Sequence, residues 1–146
     1  MIKEVESEQR TRQFGESIGR ALKGGEIIEL IGDVGAGKTT FVKGLALGLG
    51  VNEDVQSPSF TISRVYDGRD NLQLAHYDFY RLSDAGIMAD ELLETMHDPL
   101  TVTVIEWAGI VEGVLPKEHV TIAFESPTET SRVLTVTGDI KLLERL

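Results

Sequence analysis

Apolar residues recur at helical spacing in two stretches of the first third of the chain. Phe14, Ile18, Ala21 and Leu22 share one face of a helix predicted over residues 7–23. Ser7 can cap its start, Glu8 suits its first turn, and Gly24-Gly25 stop it. Phe41, Val42, Leu45, Ala46 and Leu49 line one face of a second helix from about Lys38 to Leu49, ended by Gly50. Between the two lies EIIELI, residues 26–31, a short apolar run that suits a buried strand. Residues 60–66 (FTISRVY) and 72–79 (LQLAHYDF) read as strands. The short polar stretch between them, opening on Asp67-Gly68, predicts an antiparallel hairpin. Residues 83–97 are polar with Leu92, Leu93 and Met96 at helical spacing, and Pro99 closes the segment. A third buried strand is predicted over 101–107 (TVTVIEW), and two more, paired with each other, over 119–124 and 132–137. Ser57-Pro58-Ser59 is a loop, and the tail over 140–146 suits a turn or two of helix.

Composition narrows the picture. With 146 residues, 41% hydrophobic and 26% charged, the chain has the make-up of one globular domain, and no internal repeat or linker divides it. The formal net charge of −10 opposes tight binding to a phosphate backbone, so strong direct nucleic-acid binding is not expected. The chain has no cysteine, which excludes disulfides and thiolate metal sites. No apolar stretch is long enough to span a bilayer, and the N-terminus lacks a signal-peptide core, so a cytoplasmic location is expected.

The chemistry enters with Gly32-Asp33-Val34-Gly35-Ala36-Gly37-Lys38-Thr39, a complete G-x-x-x-x-G-K-S/T phosphate-binding loop. Glycines let the backbone curl with unusual dihedrals, so that successive N–H groups form an anion nest. The helix that follows adds the positive end of its dipole. Lys38 is a compact cation for the β and γ phosphates, and the Thr39 hydroxyl can ligate magnesium. The apolar strand before the loop and the amphipathic helix after it are the setting this motif requires. Backbone and side chains of Asp33, Val34, Gly35, Ala36, Gly37, Lys38, Thr39 and Thr40 are therefore the expected nucleotide contacts, with ATP or ADP and Mg2+ as ligands. The fold class expected is α/β: a single P-loop NTPase-like domain over residues 1–146, with a mixed sheet of parallel core plus antiparallel hairpins, flanked by helices.

Such a loop needs an acidic partner to position the cation and its waters. Glu106 is the first candidate. It ends the apolar run Val102, Val104, Ile105, and in a parallel sheet beside the P-loop strand that end opens onto the phosphate site. Asp78 is the second. Spacing alone leaves two readings for it: orienting a water or the cation's shell, or capping the next loop. Trp107 is expected on the opposite strand face as a packing residue. His76, His97 and His119 have no metal-ligand spacing and are read as structural.

Taken together, GDVGAGKTT, SPSF, HYDFYRL and IEW followed by VLP resemble the TsaE (YjeE) family, the bacterial ATPases of tRNA threonylcarbamoyladenosine biosynthesis. The P-loop is shared by many families, whereas HYDFYRL after SPSF is much more specific. The resemblance runs from the helix start at Ser7 to Thr11 through Pro116. It implies a small P-loop α/β domain whose ATP hydrolysis supports the placing of threonylcarbamoyl on adenosine 37 of tRNAs reading ANN codons. Such a protein acts on the complex of TsaD with TsaB rather than on tRNA directly. The resemblance makes Lys38 the phosphate lysine, Thr39 the magnesium hydroxyl, Glu106 the metal-site glutamate and Asp78 an acidic residue needed for activity. It places adenine contacts near the start of the first helix, around Thr11, and near Arg132. Ser57 and Ser59 fall in a loop that resembles a switch. Two departures stand out: Ser59 where the family usually has Thr, and Ala108-Gly109 where Pro often follows the tryptophan.

Rival classes fit less well. No Asn/Thr-Lys-x-Asp string for reading guanine is present, and the arginines are dispersed rather than gathered in a kinase-like lid. A nucleotide-dependent docking switch whose hydrolysis is incidental stands as the alternative to a P-loop ATPase.

Overall fold

The computed structural model describes the chain except Ser59, Phe60, Ala85, Asp139 to Lys141, Leu143 and Leu146. Its elements in chain order are β1 (Ile2–Val5), α1 (Glu8–Ala21), β2 (Ile27–Ile31), α2 (Lys38–Gly48), β3 (Ser63–Asp67), β4 (Gln73–Asp78), α3 (Met88–His97), β5 (Thr101–Glu106), β6 (Val120–Glu125) and β7 (Arg132–Thr137). Short 3-10 turns cover Arg69–Asn71 and Ala108–Val114.

The strands form one seven-stranded sheet in the order β1-β7-β6-β2-β5-β4-β3. The central four, β6-β2-β5-β4, are parallel, while β3 and the β7-β1 pair add antiparallel edges. The α/β class with a parallel core and antiparallel hairpins is as expected. β2 has β5 on one side and β6 on the other, both reached later in the chain. The loop after β2 therefore sits at a point where connections diverge, which is where open α/β sheets bind ligands.

Burial explains the strand placement. Every residue of β5 is buried, because helices or turns cover both faces of the sheet at its centre. On one face Ile28, Leu30, Leu74, Val102, Val104 and Ile122 pack with Phe14 and Ile18 of α1, Leu22 just after it, and Phe41, Val42 and Leu45 of α2. On the other, Ala75, Tyr77 and Ile105 pack with Leu92 and Met96 of α3 and with Ala108 and Val111. The apolar residues that predict α1 and α2 are thus their core-facing residues.

The two helices cross unusually closely. A Cβ added at Gly44 would lie 2.0 Å from the Arg12 carbonyl oxygen, and one at Gly15 2.4 Å from that of Phe41. Only glycine permits backbone to approach backbone at that spacing. Arg69 then caps the far ends of both helices, donating to the carbonyls of Gly48 in α2 and of Gly19, Arg20 and Leu22 in and after α1.

Several boundaries differ from the sequence reading. β1 is not anticipated there: it lies at the sheet edge, only Val5 is buried, and so it carries no alternating pattern. The strand expected from residue 60 begins at Ser63. The N–H groups of Thr61 and Ile62 both donate to the Pro58 carbonyl, and Ile62 has a positive φ of 70°, so the chain turns before it extends. Phe60 itself lies outside the described residues. The hairpin forms as expected, with Asp67 opposite Gln73. The helix expected over 83–97 starts only at Met88, because Asp84 Oδ1 accepts from the Gly86 N–H at 3.1 Å and holds a turn ahead of it. The expected C-terminal turn over 140–146 lies largely outside the described residues. Among the described residues, no helix is long and apolar enough to cross a membrane.

Candidate functional site

The registers of three adjacent parallel strands set the site. Leu30 of β2 pairs with Glu106 of β5, and Glu106 pairs with Asp78 of β4. Both carboxylates therefore end their strands level with the last turn of chain before Gly32. Side chains two apart share a strand face. Glu106 and Asp78 accordingly sit on the face that carries Val102, Val104 and Leu74, the face covered by α2.

The glycine-rich loop follows from local chemistry. Gly35 and Gly37 adopt φ of 83° and 103°, a left-handed backbone that costs side-chain-bearing residues strain. The Ala36 N–H closes a turn onto the Asp33 carbonyl at 3.1 Å. Among the described residues no side chain caps the start of α2. Such an uncapped helix start suits an anion, to which its opening N–H groups can donate. From β7, Arg132 reaches back to the loop: its Nε donates to the Ala36 carbonyl at 3.0 Å and Nη2 to that of Gly35 at 3.4 Å.

Lys38 is 6% exposed and Glu106 3%. Lys38 Nζ donates to the Gly32 carbonyl at 2.6 Å and lies 3.8 Å from Glu106 Oε1. The other carboxylate oxygen, Oε2, is 2.6 Å from Nε2 of His76, a wholly buried residue of β4. Asp78 is also buried, and its Oδ1 accepts from the Tyr80 N–H at 2.9 Å. Buried charges persist only when paired and hydrogen-bonded, and Lys38 and Glu106 have such partners.

Lys38, Asp78 and Glu106 border a cavity of about 880 Å3. Of the residues expected at a nucleotide, Val34, Gly35, Gly37, Lys38, Thr39, Thr40 and Thr11 line it, and so do Asp78, Glu106, Ser57 and Arg132. Asp33 and Ala36 do not: Asp33 is exposed, and Ala36 is buried behind the loop. Ser59 lies outside the described residues. Thr11, buried in the first turns of α1, sits across from Gly37, whose Cβ, if it had one, would be 4.0 Å from the Thr11 methyl and 3.7 Å from Arg132 Nε.

Trp107 packs, half-buried, against the cluster of Ala75, Tyr77 and Ile105 on the opposite face, as the sequence reading expects. Its φ of 57° turns the chain out of β5, so the indole also borders the site, with Lys38 Nζ 4.3 Å from the ring centroid and the Tyr80 ring 4.9 Å away. Tyr80, within HYDFYRL, also lines the cavity, and so does the Glu129-Thr130 turn, which carries no sequence signal, since only tertiary packing brings it there.

The donor set fits a small hard cation. The Thr39 hydroxyl and the Glu106 and Asp78 carboxylates all border the cavity, and all are oxygen donors. Among the described residues no cluster of three or more His, Cys, Asp or Glu side chains could hold a metal by itself. Magnesium is a cation that takes one or two protein oxygens and completes its shell with water and substrate phosphates.

The family model described as threonylcarbamoyl adenosine biosynthesis protein TsaE matches residues 5–134. A Treponema pallidum (strain Nichols) protein named tRNA threonylcarbamoyladenosine biosynthesis protein TsaE is 42% identical over 130 residues, 89% of this chain and 95% of its own length. The Bacillus subtilis (strain 168) protein of the same name is 38% identical over 131 residues, 89% of this chain and 80% of its own. Among solved structures, that of Bacillus subtilis YdiB superposes with a TM-score of 0.80 at 33% identity, covering 99% of this chain and 91% of that one.

Proposed function

The chain belongs to the TsaE family of threonylcarbamoyl adenosine biosynthesis proteins, and on that premise we propose that it is a magnesium-dependent P-loop ATPase of this tRNA modification. It binds ATP, hydrolyses it to ADP and phosphate, and acts on the TsaD–TsaB complex rather than on tRNA, in support of threonylcarbamoyl transfer to adenosine 37 of tRNAs reading ANN codons. One observation carries the reading: the register that sets Asp78 and Glu106 side by side at the mouth of the P-loop, with Lys38 between the loop and Glu106.

Each residue has a role in this reading. Amides of the loop and of the start of α2 cradle the phosphates, and Lys38 supplies a compact positive charge. Thr39 and Glu106 would hold the cation directly or through water. Magnesium, when bound, neutralises charge that develops on the phosphate oxygens. Asp78 orients the attacking water, its carboxylate fixed in direction by the Tyr80 N–H. Arg132 keeps the loop in its curled form through the Ala36 carbonyl. Thr11 and Arg132, opposite each other across Gly37, border the space for the nucleoside. The negative net charge agrees with a division of labour in which partner proteins handle the tRNA.

Phosphate release measured with and without TsaD–TsaB tests the proposal. Hydrolysis that rises with the partners supports it. No hydrolysis under either condition favours the alternative, a docking switch driven by nucleotide binding alone; co-purification with and without ATP then reads that coupling directly.

A further inference from the structure

Glu106 has two carboxylate oxygens with different partners. Oε1 is the oxygen 3.8 Å from Lys38 Nζ, and Oε2 is the one 2.6 Å from His76 Nε2. His76 is fully buried on a sheet face otherwise built of Leu74, Val102 and Val104. A leucine there would pack as its neighbours do. The imidazole brings polar atoms into this core, and its Nδ1 has no hydrogen-bond partner among the described residues. Burying an unpaired polar atom is unfavourable, so packing alone does not account for histidine at this position. Among the described residues, its one polar contact is with Glu106.

A carboxylate only accepts, so Nε2 is the donor. In the parallel register His76 pairs with Val104, two residues before Glu106 on the same face. The imidazole therefore meets the glutamate from the core side and leaves Oε1 toward the loop and the cavity.

We propose that His76 is a positioning residue: its Nε2–H holds Glu106 Oε2, fixing the rotation of the carboxylate so that Oε1 faces the phosphate site. This deepens the ATPase reading and rests on Glu106 serving the cation there. Hydrogen-bonded neighbours that orient cation-binding groups affect cation affinity or activity by roughly 10–100-fold.

The test compares His76→Leu, which removes the donor, with His76→Gln, which keeps an N–H. The readouts are ATP affinity by calorimetry with and without Mg2+, and phosphate release with TsaD–TsaB. His76→Leu is expected to leave Mg2+-free binding within about threefold of wild type, and to lower the Mg2+ enhancement of binding and kcat roughly tenfold or more. His76→Gln should recover much of both. In a Glu106→Gln background, His76→Leu should change neither quantity further, since it acts through that carboxylate. Wild-type Mg2+ dependence in His76→Leu overturns the inference. So does an additional full loss in the Glu106→Gln background, or an equal loss of Mg2+-free binding in both His76 variants, which marks a folding role. If wild type itself releases no phosphate, the ATPase reading fails, and the Mg2+ dependence of binding still decides the role of His76.

Discussion

Lys38 Nζ and Glu106 Oε1 stand 3.8 Å apart, the one at the start of α2 and the other at the end of β5, both shielded from solvent. The sequence separates them by more than sixty positions. The sheet brings them together because β5 lies directly beside β2, with Leu30 opposite Glu106. A lysine that contacts a loop carbonyl, a carboxylate and an indole face is held in place rather than freely mobile.

Lys38→Ala is accordingly expected to abolish nucleotide binding detectable by calorimetry. Removing one member of a desolvated charge pair at a binding site costs about 2–5 kcal/mol, which is at least about a 30-fold loss of affinity. Unchanged affinity would remove the P-loop assignment.

Glu106→Ala should separate chemistry from binding. We expect Mg2+-dependent hydrolysis to fall roughly 10–100-fold or more while ADP affinity changes far less, because the loop amides and Lys38 remain. Parallel loss of both in kinetic and calorimetric measurements would indicate a collapsed site instead.

Gly44→Ala tests the close helix crossing. Helix propensity alone favours alanine by up to about 1 kcal/mol, but the new methyl would sit 2.0 Å from the Arg12 carbonyl oxygen, which is backbone and cannot rotate away. The clash should win, destabilising by about 1–3 kcal/mol and lowering Tm by roughly 3–10 °C in a chain of this size. Gly109, where an added methyl meets nothing within 4 Å, is the control; its alanine variant should stay within about 0.5 kcal/mol of wild type. Equal Tm for wild type and Gly44→Ala contradicts the packing described.

Glu29 gives a pH dependence. Burial raises its pKa above the ordinary 4.5, against the hydrogen bond with His119 and with the help of the nearby Glu112 carboxylate. A folded-state pKa above the unfolded value means the folded chain binds the proton more tightly. The resulting stability is complete below pH 4.5 and is lost as pH rises through the folded value. Urea unfolding of wild type and Glu29→Gln from about pH 4 to pH 6 should therefore show the variant gaining on wild type as pH rises. A difference independent of pH would show that Glu29 titrates alike in both states.

How much of this was legible in the chain differs from element to element. α1 and α2 were, since Phe14, Ile18, Leu22, Phe41 and Leu45 repeat at the helical period and all face one core. β5 was, because a strand covered on both faces is apolar throughout. β1 was not, because an edge strand with a single buried residue has no pattern to read. The start of β3 was hidden by two N–H groups sharing the Pro58 carbonyl.

At the site, the sequence by itself determined the glycine-rich loop. Its chemistry is local: glycines at the left-handed positions, a lysine and a hydroxyl, all within one turn of backbone. It also marked Asp78 and Glu106 as strand-ending carboxylates near that loop. Only the tertiary structure decided that the two carboxylates are register partners, that His76 grips the far oxygen of Glu106, that Trp107 also borders the site and that Arg132 braces the loop from the last strand. These relations depend on which strands lie side by side and at what register. Register is set by burial summed over whole strands and faces, a quantity that no short stretch of sequence carries.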